Sequence, residues 1–191
     1  MGFSVLMSVY AKEKPAYLKE AVESVFTQSL LPDEVLIMED GPLTEELNAV
    51  MDALKAVHPQ IVTWKFAENV KLGKALAKGV ELCSNDLIAR MDTDDIVAED
   101  RFRLQYDYMT THKEISVCGG WLQEFNDEGT YSKVKKMPQT EAGIRQYARY
   151  RNPFNHMTVM FRRSAVLAVG NYKHFPLLED YELWSRMLAA D

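Results

Sequence analysis

The sequence predicts an α/β fold, a three-layer α/β/α arrangement around a mostly parallel central sheet. Two observations carry this. The first 112 residues alternate four times between a short apolar, β-rich run and an amphipathic helical stretch, the pattern of consecutive βα units. The β-rich runs are nearly continuous in apolar residues, as strands buried on both faces are.

Taken in order, Phe3–Tyr10 (FSVLMSVY) is the first strand, and Pro15 opens a helix reaching about Gln28, since proline suits a helix's first turn. Glu34–Glu39 (EVLIME) is the second strand and stops at the turn signal Asp40-Gly41-Pro42. Thr44–Val57 has helical periodicity that places Leu47, Val50, Met51, Leu54 and Val57 on one face. Ile61–Phe66 reads as a strand, Leu72–Leu82 as a helix, Leu87–Met91 as the fourth strand and Glu99–His112 as the fourth helix. The apolar residues of that last helix include Phe102, Leu104, Tyr106 and Met109. Beyond His112 the pattern is mixed. Ser116–Phe125 reads as a strand with a glycine pair, Asn126–Gly129 as a turn, and Tyr131–Val134 as a returning strand. A helix at Glu141–Tyr150, a strand at Thr158–Arg162 and a helix at Glu179–Leu188 complete the chain. This half is expected to extend and flank the same sheet. Residues 1–191 thus form one domain, with a βα half (1–112) and a mixed half (113–191). The chain stops inside a helix with no stop signal, as expected of a truncated natural protein or an expressed catalytic fragment.

Composition narrows the function. With 191 residues, 47% hydrophobic and a net charge of −6, the chain can build a substantial core but offers no basic groove for nucleic acid. Its small basic cluster, Lys133, Lys135 and Lys136, reads as a solvated loop. Cys83 and Cys118 lack metal-ligand spacing and read as reduced core residues, as expected in the cytosol. No signal peptide and no bilayer-spanning run is legible.

In a parallel sheet, ligands bind beyond the carboxyl ends of the strands, where strand order reverses. Those ends carry Tyr10, Asp40, the Glu68-Asn69 region and the crowded carboxylates Asp92, Asp94 and Asp95. Asp40 and the acidic cluster should therefore share a cleft. Carboxylates without His or Cys nearby are hard ligands suited to Mg²⁺ or Mn²⁺. The competing reading is a capped helix start neutralised by Arg90 and Arg101; the preceding strand favours the cation.

At these residues the chain resembles the family 2 glycosyltransferases. Ser8-Val9-Tyr10 resembles the family's first-strand ending, and Asp40-Gly41 its acidic nucleotide-binding turn, with Pro42 where serine is common. Asn69–Ala75 is similar to its N-x-G stretch with one extra residue, and Met91–Asp95 to its D-x-D-D. Asn152–His156 with Phe161–Arg163 resembles the acceptor-side segment, and Leu178–Trp184 the late E-D motif.

The resemblance implies a GT-A, Rossmann-like fold and inverting, metal-dependent transfer of a sugar from a nucleoside-diphosphate donor, a pyrimidine nucleotide being favoured. The acceptor would be a saccharide or a lipid-linked molecule, in surface polysaccharide or glycolipid synthesis. The place of work would be the cytoplasm, at the inner membrane face with peripheral membrane association. Asp40 would take the base N–H, with Ser8, Val9 and Tyr10 flanking the base. Asp92 would reach the ribose or a metal-bound water, and Asp94 would ligate Mn²⁺ or Mg²⁺. Asp95 would orient Arg90 or Arg101 or cap the next helix, with Arg90 counted among the donor-site residues. Lys71, Gly73 and Lys74 would meet anionic groups at a helix N-terminus, or frame the base pocket. Asp180 would be the general base with Glu179 on the acceptor, the two roles being exchangeable on sequence grounds. His156 would touch acceptor or phosphate, or be structural. Two other classes remain in view: a haloacid-dehalogenase-like phosphatase with Asp92 as nucleophile, disfavoured because three βα units precede the motif, and a nucleotide-sugar-binding domain without turnover.

Overall fold

The structure, a computed structural model, describes residues 2–126, 128–129 and 131–190. The four βα units appear as expected: β1 (Phe3–Val9), α1 (Pro15–Phe26), β2 (Glu34–Glu39), α2 (Glu45–Val57), β3 (Ile61–Lys65), α3 (Leu72–Leu82), β4 (Leu87–Arg90) and α4 (Arg101–Thr111). β5 (Val117–Cys118), α5 (Glu141–Tyr147), β6 (Met160–Arg162), α6 (Arg163–Ala168) and α7 (Glu179–Ala190) follow. The strands form one sheet in the order β3-β2-β1-β4-β6-β5. β1 to β4 run parallel, and β6 is antiparallel to both β4 and β5.

The chain steps outward from β1 to β2 to β3, then returns across β1 to lay down β4. Right-handed crossovers travelling in opposite directions place their helices on opposite faces. Two cores result. On one face Val5, Met7, Val9, Val35 and Ile37 pack with α1, α2 and α4; on the other Leu6, Leu36, Met38 and Ile88 pack with α3, α6 and α7. The strict period of two along β1 and β2 divides their apolar residues between these layers.

Local signals explain the helix starts. Pro15 occupies the first turn of α1, and the Thr44 hydroxyl accepts the Leu47 N–H at 3.3 Å to cap α2. Helical periodicity misplaced Val57, which is 70% exposed at the end of α2; on α4 the apolar Leu104 is 58% exposed. Beside Leu104 the polar Gln105 is buried instead, where its amide donates to the Thr158 carbonyl at 2.8 Å.

The second half departs further from expectation. Of the strand expected over Ser116–Phe125, only Val117 and Cys118 pair with β6. The chain leaves the sheet at Gly119, where a Cβ would come within 2.8 Å of the Phe154 ring. Beyond it, isolated bridges (Leu122 to Lys135 and Phe125 to Tyr131) close an exposed arm, so Tyr131–Val134 is not a continuous strand. The expected Asn126–Gly129 turn has Gly129 N–H on the Asn126 carbonyl at 2.8 Å, with Asp127 outside the described residues. Thr158 ends a 3-10 turn (His156–Thr158) rather than opening β6. Lys133, Lys135 and Lys136 are exposed, as read. Both cysteines are free thiols, and burial pushes them up, Cys83 to about 12 and Cys118 to about 11. No helix among the described residues is long and apolar enough to cross a membrane.

Candidate active site

Strand order reverses between β1 and β4, and a cleft of about 720 Å³ opens beyond their carboxyl ends. Ser8 and Tyr10 line it from β1, Asp40 and Gly41 from β2, Asn69 and Lys71 from the entry to α3, and Asp92 and Asp94 from β4. Val9 does not: its side chain lies in the core, and its carbonyl accepts the Asp40 N–H at 2.8 Å.

Asp40 is 5% exposed and already engaged. One carboxylate oxygen accepts the Val70 N–H at 2.6 Å and the other accepts Asn69 Nδ2 at 2.9 Å. Asp40 therefore fixes the chain between β3 and α3 as one wall of the cleft. Each oxygen still has a lone pair to offer a ligand. The next residue must be glycine: Gly41 has φ +91°, and a Cβ there would lie 2.9 Å from the Asn69 nitrogen.

The carboxylate oxygens of Asp92, Asp94 and Asp95 lie within 4.8 Å of one another. Arg90, 1% exposed on β4, pairs with Asp92. Burial opposes the guanidinium's charge, and Asp92 overcomes that cost and holds it protonated. Arg90 thus stands behind the cleft and meets it through Asp92, rather than lining it. Arg101 spends its guanidinium on the carbonyls of Arg90 and Val159, at 2.9 and 3.1 Å. One oxygen of Asp95 is buried with no hydrogen-bond partner. Burial, then the charges of Asp92 and Asp94, push Asp95 up to about 6. Burial, Asp92 and Glu13 also raise Asp94. An orphaned carboxylate oxygen within a self-repelling cluster, with no soft ligand beside it, fits a hard divalent cation such as Mn²⁺ or Mg²⁺.

Glu13 is the cleft residue that sequence reasoning missed. Its carboxylate accepts the Thr93 hydroxyl at 2.6 Å, joining the loop after β1 to the centre of the acidic stretch. In the sequence it is hidden inside Lys12-Glu13-Lys14, which reads as a solvated run; its place just past the end of β1 was the available cue.

Lys71 reaches the cleft, whereas Lys74 is exposed outside its lining. Gly73 is buried under the chain that leads to α7. A Cβ there would meet the Lys173 carbonyl oxygen at 2.7 Å and Glu179 Cβ at 3.2 Å. Gly73 is therefore the contact at which the donor-side wall and the acid pair approach each other.

Glu179 and Asp180 open α7, each 8% exposed. Asp180 accepts the Tyr181 N–H at 2.7 Å on one oxygen and Asn152 Nδ2 at 2.5 Å on the other. Near them the buried Tyr172 phenol is held strongly protonated, by burial first and then by Asp180, Glu179 and Asp92 against the opposing pull of Arg90. Tyr172 is thus within electrostatic reach of both the acid pair and Asp92. His156 turns away from the cleft, a correction to its expected contact with acceptor or phosphate. Its Nε2 hydrogen-bonds the Tyr172 hydroxyl at 2.9 Å, and its ring meets Trp184 edge-on at 6.2 Å. Burial and Arg90 hold it far below the usual histidine range, hence neutral.

The chain is similar in sequence and in fold to known proteins. The sequence model of Glycosyl transferase family 2 matches residues 4–173. The amylovoran biosynthesis glycosyltransferase AmsE of Erwinia amylovora is 42% identical over 98% of this chain and 70% of its own. An Escherichia coli UDP-Gal:alpha-D-GlcNAc-diphosphoundecaprenol beta-1,3-galactosyltransferase is 38% identical over 98% of this chain and 68% of its own. A mannosyltransferase of Pyrobaculum calidifontis, solved with GDP-Man and Mn²⁺, superposes with a TM-score of 0.72 at 12% identity, over 97% of this chain and 51% of that one. The chain spans about two thirds of the first two relatives and about half of that solved protein, whose likeness establishes the GT-A fold. The chain belongs to glycosyl transferase family 2.

Proposed function

We propose that this chain transfers a sugar from a nucleoside-diphosphate sugar to an acceptor hydroxyl with inversion, in the synthesis of a surface polysaccharide or glycolipid. The observation that carries this reading is the convergence of Asp40, Asp92 and Asp94 on one cleft, with Glu179 packed on Gly73, the neighbour of the cleft residue Leu72.

Asp40 takes a ring N–H of the base with the lone pairs left after Val70 and Asn69 are served. The half-exposed Tyr10 ring is free to lie along the base, and Ser8 closes the far side. A pyrimidine donor suits one carboxylate facing one N–H, and the Escherichia coli relative is named for UDP-Gal. Asp92, steadied by Arg90, reaches the ribose or a metal-bound water, and Asp94 supplies the outer metal ligand. A bound Mn²⁺ or Mg²⁺ would neutralise the diphosphate and the charge that grows on the leaving nucleoside diphosphate.

Asp180 acts as general base. Asn152 and the Tyr181 N–H fix its orientation. The acceptor oxygen attacks the anomeric carbon as its proton passes to Asp180, and the bond from that carbon to the diphosphate breaks on the opposite side. One displacement inverts the centre. Glu179 orients the acceptor, which we take to be lipid-linked because the Escherichia coli relative is named for a diphosphoundecaprenol substrate. The test is thermal stabilisation by UDP-, dTDP-, GDP- and CDP-sugars, with and without Mn²⁺. Metal-dependent stabilisation by a pyrimidine nucleotide sugar is expected, and no response to any donor overturns the reading.

A further inference from the structure

Two exposed segments meet the first turn of α7 and share a composition found in no other part of the cleft's surroundings. Residues 173–178 read Lys-His-Phe-Pro-Leu-Leu and run directly into Glu179; all six are exposed, Leu177 by 92% with its backbone at φ +68°. Residues 149–151 read Arg-Tyr-Arg, are exposed too, and include Tyr150 at 81%. Both are anchored to the catalytic helix. Tyr181 donates its hydroxyl to the Ala148 carbonyl, and Asn152 donates to Asp180, so the Arg-Tyr-Arg corner is clamped at both ends.

Such exposure is unfavourable for a water-facing loop, since Phe175, Leu177, Leu178 and Tyr150 gain nothing from solvent. The exposed charges of these two segments are all basic, Arg149, Arg151 and Lys173, while the adjoining acids Glu179 and Asp180 are buried. Arg149 and Arg151 make no ion pair among the described residues, while the acids of this region are occupied: Asp180 by Asn152, and Glu182 by Arg186. Lys173 lies close enough to Glu182 to lower that carboxyl, but Glu182 is already clamped by Arg186. In a chain of net charge −6, a rim with three fixed cations around four exposed apolar side chains is a local inversion. Aromatic and aliphatic tips ringed by Lys and Arg are the chemistry of an anionic membrane interface.

We propose that the rim formed by residues 149–151 and 173–178 docks the protein on the anionic headgroup surface of a bilayer. Leu177, Leu178 and Phe175 enter the interface, and Arg149, Arg151 and Lys173 lie among the headgroup phosphates. Because residue 178 is followed by Glu179 and Asp180, docking sets the acid pair at the height of a lipid-borne acceptor. This deepens the proposed function and rests on its lipid-linked acceptor, yet the binding is measured without donor, metal or turnover. Failure here leaves the donor screen intact, and failure there leaves this binding intact.

The experiment is flotation of the full chain with vesicles of phosphatidylcholine alone and of phosphatidylcholine mixed with phosphatidylglycerol, at low and high salt. Binding to the mixed vesicles, weakened by salt, is expected. Neutralising Arg149, Arg151 and Lys173 to Gln together should lower partitioning on the order of 10²-fold, from roughly fivefold per basic residue. Leu177→Asp with Leu178→Asp should lower it as well; both sets are exposed, and unchanged circular dichroism melting shows that they fold. Neutralising Lys133, Lys135 and Lys136 is the control of equal charge, and should leave binding close to wild type. Equal loss in that control, or no binding to anionic vesicles, overturns the proposal. So does concentration-dependent self-association through the rim in place of vesicle binding, which would assign it to a second copy.

Discussion

Asn152 and Asp180, separated by 28 residues, are joined by a 2.5 Å hydrogen bond from the amide to the carboxylate. The bond fixes the corner before the 3-10 turn to the first residues of α7, and gives the base one orientation. Asp180→Asn keeps the shape of the side chain but removes its capacity to take a proton, and sets two amides face to face. Transfer should fall by ~10²–10⁴, the usual worth of a general base, while binding of donor and metal is unchanged. A matched transfer assay with product stereochemistry by NMR checks this. Full transfer in Asp180→Asn with loss in Glu179→Gln would move the base to Glu179, and a retained anomeric configuration would reject single displacement.

Asp94 lies at the open edge of the acidic cluster and adds nothing to either core. Asp94→Ala should abolish the Mn²⁺ dependence of nucleoside diphosphate binding and leave thermal unfolding of the metal-free protein unchanged or slightly raised, because a like charge has been removed. Calorimetric titration of UDP at several Mn²⁺ concentrations decides it. Unaltered metal dependence removes Asp94 from the site.

Asp40 anchors the loop before α3 and is the proposed contact of the base, so its removal has two readouts. Asp40→Ala should weaken nucleotide binding by ~1.5–3 kcal/mol, the value of a charge-assisted hydrogen bond, and also lower the melting temperature by freeing Asn69 and Val70. Asn69→Ala releases one of those two contacts and leaves the carboxylate in place. It should lower the melting temperature with a smaller loss of affinity. Equal losses of affinity in both variants would reduce Asp40 to a loop anchor.

His156 makes stability depend on pH. Its folded pKa is depressed, so the unfolded chain takes up a proton near the ordinary value of 6.5 while the folded chain does not. Stability is therefore unaffected by this residue above that pH and declines as pH falls below it, by at most ~1.4 kcal/mol per pH unit until the folded ring itself titrates. Urea unfolding between neutral pH and mild acid should show this slope in wild type and a shallower one in His156→Gln. Parallel slopes in the two proteins would mean that His156 is not held neutral.

The βα half was legible because its signals agree with one another. Strands buried on both faces leave continuous apolar runs, and the bounds of β2 and α3 fall where the sequence placed them, at Glu34–Glu39 and Leu72–Leu82. The second half was less so because its elements are held by tertiary contacts. β5 is two residues long because β6 offers only three, and Gly119 then turns under Phe154. α6, six residues long, is too short to show a period and was not expected. Within the site, Asp40 and the acidic cluster were found from their places at strand ends. Glu13 was not, since its role depends on the Thr93 hydroxyl reaching it from a segment 80 residues away. His156 was left between an acceptor contact and a structural role for the converse reason: a motif-like neighbourhood cannot reveal that the ring faces Tyr172 and Trp184.

The antiparallel seam between β4 and β6 divides the molecule into regions of unequal permanence. Donor-side groups hang from β1, β2 and β4, whose amides are locked at the centre of the sheet. The proposed acceptor-side groups, Glu179 and Asp180, open α7, and Asn152, which holds Asp180, lies in the corner before the 3-10 turn. In amide hydrogen exchange the first set should open only with global unfolding, and the second through local fluctuations of much lower free energy. On the proposed roles, substitutions on the far side of that seam would alter which molecule is glycosylated while the handling of the nucleotide sugar stays intact, so that one inherited donor platform would acquire new acceptors a few surface residues at a time.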